Sequence, residues 1–89
     1  MLTFALAALA LSAAPHFTAT PARPAAEKVV LADTIFYCGA GGCSAGKSAS
    51  RPAIVCASLA KELGPLRSFS VAGAEISPAQ LEKCNARAR

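Results

Sequence analysis

The 89-residue chain predicts a small α+β domain stapled by disulfides: two short hairpins form an antiparallel sheet, two helices lie on one face, and the order is ββαββα. Three observations predict it. Four cysteines, an even number, all follow an apolar N-terminal run. Two stretches carry tight-turn residues after β-branched or aromatic ones, GAGG at residues 39–42 and Ala72-Gly73. Each stretch is followed by a serine and then a proline at a helix start, Ser50 with Pro52 and Ser77 with Pro78.

Residues 2–14 read LTFALAALALSAA, an uncharged run of mostly Leu and Ala. It falls short of the roughly 20 apolar residues that a membrane span needs. Its length and composition suit the h-region of a secretory signal peptide, residues 1–14, with the cut expected between residues 14 and 26. Residues 15–28 are rich in Pro, Ala and Thr and read as an unstructured connector, which holds the one histidine, His16. Residues 29–89 are then the stapled domain. The 63 to 75 residues left after cleavage bury too little apolar surface for comfortable stability, so covalent staples are expected.

Along that domain, VVLADTIFY at residues 29–37 predicts a strand over about residues 34–38. The glycines of residues 39–42 turn the chain, and residues 43–46 return as a second strand. Ile54, Val55, Cys56, Leu59, Ala60 and Leu63 recur with helical spacing, from a Ser50 cap to the Gly64-Pro65 stop, giving a helix over about residues 51–63. Phe69, Val71 and Ile76 flank Ala72-Gly73 as a second hairpin. Ser77 caps the last helix, where Leu81 and Cys84 share a face and Lys83, Arg87 and Arg89 oppose the negative end of its dipole.

Residues 41–48, GGCSAGKS, satisfy the pattern of a phosphate-binding loop, with Lys47 and Ser48 as the phosphate and Mg²⁺ residues. A phosphate loop needs its helix to begin at that lysine and serine; here Pro52 marks a start several residues later, and no later strand ends in a metal-holding aspartate. Nucleotide binding is therefore considered and set aside in favour of a glycine-rich hairpin loop. The cysteine spacing, C-x4-C-x12-C-x27-C, lacks the two close pairs of a zinc site and the C-x-x-C of a catalytic dithiol. Structural disulfides fit it best. If Cys38 and Cys43 share a sheet face that both helices cover, each can reach one helix cysteine. The favoured pairs are Cys38–Cys84 and Cys43–Cys56, closing loops of about 47 and 14 residues. Cys38–Cys43 with Cys56–Cys84 is the rival, and the crossed pairing of Cys38 with Cys56 and Cys43 with Cys84 stays open.

No nucleophile and base are arranged in the sequence, so no catalytic, cofactor-binding or metal-ligating residue is assigned. Asp33, Glu62, Glu75 and Glu82 read as solvated surface charges. Tyr37 and Phe69 read as core packing rather than a ligand-stacking surface. The net charge of +4 is modest and its nine basic residues are scattered, which argues against a nucleic-acid interface.

Tyr37-Cys38, Cys43, Ser50-Arg51-Pro52, Val55-Cys56, Leu59-Ala60-Lys61-Glu62, Gly64-Pro65, Phe69, Ala72-Gly73, Leu81 and Cys84-Asn85 together resemble an uncharacterised family of small exported four-cysteine proteins from Gram-negative bacteria. The resemblance implies export and a shared cysteine framework; it implies no activity, ligand or catalytic residue. The expectation is a periplasmic or secreted domain that binds a partner or serves a structural role without catalysis, has no cofactor, and acts on an envelope protein or ligand of unknown identity. A thiol-redox accessory of the envelope is the alternative. No stable membrane span is expected after signal cleavage.

Overall fold

The computed structural model describes residues 15–88, so the expected signal peptide lies outside the described residues. The elements are β1 (Phe17–Pro21), β2 (Lys28–Val30), β3 (Ile35–Gly39), β4 (Gly42–Ala45), α1 (Pro52–Leu63), β5 (Leu66–Val71), β6 (Ala74–Glu75) and α2 (Pro78–Asn85). All six strands form one antiparallel sheet in the order β2-β3-β4-β1-β5-β6. From β3 onward the expected ββαββα order is found, but two further strands precede it.

The larger correction concerns residues 15–28. They are not an unstructured connector, because they supply β1, in the interior of the sheet between β4 and β5. Its sequence, FTATP, alternates apolar Phe17 and Ala19 with the hydroxyl residues Thr18 and Thr20, as a half-buried strand requires. Phe17 opposes Ala45 on one side and Val71 on the other; Ala19 opposes Cys43 and Phe69. Phe17 is 1% exposed, and its ring centroid lies 6.3 Å from that of Phe36 and 5.7 Å from that of Phe69. The core is thus organised around a residue that the connector reading left out. His16 belongs to the folded unit as well: its N–H donates to the Ala45 carbonyl (3.0 Å), and its own carbonyl accepts from the Ala72 N–H (2.7 Å).

Close approach of β1 explains one glycine. Gly42 has φ +116°, and a Cβ there would stand 2.7 Å from the Ala19 carbonyl oxygen. The sheet is one-sided: Phe17, Ala19, Phe36, Cys43, Ala45 and Phe69 are buried, while Thr18, Thr20, Ile35 and Tyr37 on the other face are exposed. Tyr37 therefore does not pack in the core, as expected of it; with Val30 and Ile35 it lies on the open face of the β2–β3 edge, 59% exposed.

Both helices cover the buried face toward β5, and they pack on each other. α1 buries Val55, Cys56, Leu59 and Ala60, while Ile54, expected in that stripe, is 52% exposed. α1 stops at Gly64, whose φ of +90° suits glycine and whose missing Cβ leaves room for the Arg23 guanidinium. α2 starts on a full capping box: the Gln80 N–H donates to Ser77 Oγ (3.2 Å), and the Ser77 N–H donates to Gln80 Oε1 (3.0 Å). At its other end Asn85 imitates a strand. Its Oδ1 accepts from the Leu66 N–H and its Nδ2 donates to the Leu66 carbonyl, both at 2.9 Å.

Candidate functional site

The four cysteines form two bridges, and neither is a favoured pair. Cys38 joins Cys43, and Cys56 joins Cys84. Strand β1 supplies the physical reason. It separates β4 from β5, the strand beneath the helices, and each strand interval is about 4.8 Å. Cys43 therefore stands two strands away from β5, and Cys38 three. Cys38 and Cys43 instead face each other across the β3–β4 hairpin, with Cα atoms 4.0 Å apart. Cys56 and Cys84 meet between the two helices, with Cα atoms 5.7 Å apart.

The phosphate-loop look-alike has a different use. Four of its residues, Gly42–Ala45, are strand β4, and α1 begins only at Pro52. Ser48 Oγ donates to the Asp33 carboxylate at 2.8 Å; the Ala49 and Ser50 amides donate to the same group at 3.0 and 3.2 Å. The Ser50 hydroxyl is also within 3.3 Å of it, so Ser50 does not cap α1; the N-cap is Arg51, with no side-chain cap bond. Asp33 is thus an acceptor for a whole loop rather than a merely solvated charge. These donors, the Ser48 hydroxyl first, hold its pKa below the ordinary value of 3.8. The Ser48 hydroxyl, which the phosphate-loop pattern would assign to Mg²⁺, is engaged by an internal carboxylate.

Among the described residues, no three His, Cys, Asp or Glu side chains converge as metal ligands would, and no helix is long and apolar enough to cross a membrane. The open concavity of interest lies between the helices. It is a groove of about 280 Å³ over the Cys56–Cys84 bridge. One wall is apolar, with Ile54 and Ala57 of α1, and Ile76 closes it before α2. The other wall is polar, with Gln80 and Lys83 of α2 and Arg87 from the turn that follows it. No acidic residue lines it. The cysteine spacing and the alternation of Ile54 with its buried neighbours gave no hint of this groove; only the pairing of the helices creates it.

The model of a family of unknown function (DUF8200) matches residues 1–86, and the chain belongs to that family. No curated protein and no solved structure matches it.

Proposed function

Starting from membership of a family of unknown function, we propose that the chain is an exported, periplasmic, non-catalytic binding domain that presents the inter-helix groove to its ligand. The observation that carries this reading is an open groove over the Cys56–Cys84 bridge in a doubly stapled domain. Two disulfides are the covalent pattern of small domains that fold in an oxidising compartment. One of them ties together the two helices whose separation defines the groove, so the site is held open before any ligand arrives. The apolar run at residues 2–14 supports export, and β1 narrows where a leader can be cut. Cleavage at Ala22 or Ala26 would remove the interior strand, whereas a cut before Phe17 leaves the sheet whole.

Osmotic-shock fractionation followed by N-terminal sequencing tests the proposal. The protein is expected in the shock fluid, with its first residue upstream of Phe17 and without the apolar run. Recovery of the intact chain with Met1 in the cytosol would sink it.

A further inference from the structure

We propose that the groove between α1 and α2 binds a free single-chain anionic amphiphile, with the tail against Ile54 and Ile76 and the head group toward Lys83 and Arg87. This inference rests on the reading of the groove as the binding surface.

Charge and shape select this ligand. Lys83, in the last turn of α2, and Arg87, in the turn that follows it, both line the groove, and no carboxylate in the lining opposes them. Neither forms an ion pair or a side-chain hydrogen bond among the described residues. The opposite wall carries Ile54, a large apolar side chain 52% exposed on a helix where Val55 and Leu59 are buried and Leu63 is half-buried. A groove that is apolar on one side and cationic on the other matches a molecule with one tail and one anionic head.

Size narrows the choice. The groove, about 280 Å³, has room for a short tail, and ten-carbon amphiphiles serve as its probes. A bilayer is a poor match, since the apolar residues sit in a concavity rather than on a projecting face.

Calorimetric titration of the oxidised mature protein recovered from the shock fluid, at low salt and below micelle-forming concentrations, tests the inference with decanoate, decanol and decyltrimethylammonium. Decanoate should bind about tenfold tighter than the cationic amphiphile, and added salt should shrink that ratio. Affinity should rise about fourfold per methylene from octanoate to decanoate, as expected for a buried tail. K83Q/R87Q should remove the preference for decanoate over decanol and over the cationic amphiphile. Ile54→Asp, at an exposed position, should abolish binding of all three.

If tails bind but decanoate has no advantage, the ligand class is wrong while the groove survives as a binding surface. If no tail binds, both the inference and the groove reading fall. Sedimentation of the protein with phosphatidylglycerol vesicles, without binding of monomeric decanoate, would overturn the inference in favour of a membrane surface.

Discussion

At the scale of single residues, Asp33 is the charged group that organises a loop. Its carboxylate gathers Ser48, Ala49 and Ser50 and so fixes the path from β4 into α1. A depressed pKa in the folded state has a defined pH signature. Folding stability from this group is complete above the unfolded value near 3.8 and is lost as pH falls through the lower folded value. Asp33→Asn should lower the melting temperature at pH 7, and the difference from the unsubstituted protein should close as the pH is taken below 3. Thermal melts of both proteins between pH 7 and 2 check this; a gap that stays constant across the range would mean that the carboxylate's charge is not what holds the loop. In the sequence, Asp33 stood only as one acid among five, because its donors lie 15 to 17 residues away and no local pattern marks them.

At the scale of elements, β1 decides the sheet. Phe17 is the middle ring of the three-phenylalanine core, and its strand pairs on both sides. Phe17→Ala should cost about 3–5 kcal/mol, enough to unfold much of a domain this small. Thr18→Ala on the open face of the same strand should cost well under 1 kcal/mol. Urea unfolding of the two variants checks the contrast, and similar losses from both would contradict an interior position for β1. The strand was partly legible: Phe17 and Ala19 alternate with Thr18 and Thr20. Three prolines within ten residues, at 15, 21 and 24, masked that alternation. Pro21 is tolerated because it ends the strand, at an irregularity in the pairing with β5. Both helices were easier to read, since Pro52, Gly64, Ser77 and Pro78 bound them with local chemistry that needs no distant partner.

At the scale of the whole molecule, a missed strand became a wrong pairing. With β1 absent, β4 would lie beside β5 and the helices would sit over Cys38 and Cys43. With β1 inserted, the molecule has two separately stapled regions, a hairpin bridge spanning 5 residues of sequence and an inter-helix bridge spanning 28. Chain entropy gives about 2 kcal/mol for the short loop and about 3.5 kcal/mol for the long one, so the bridge under the groove is also the stronger constraint on the unfolded chain. The groove itself was illegible, because its walls come from two helices whose relative placement depends on β1 and the second bridge. The arrangement is tested most directly by tryptic digestion of the oxidised protein without reduction, followed by mass spectrometry. Cuts after residues 28, 47, 61, 83 and 87 place Cys38 and Cys43 on one peptide, Cys56 on a second and Cys84 on a third. The account predicts that the Cys56 peptide is linked only to the Cys84 peptide and that the Cys38/Cys43 peptide carries an internal bridge; a Cys38/Cys43 peptide joined to either of the others would contradict it.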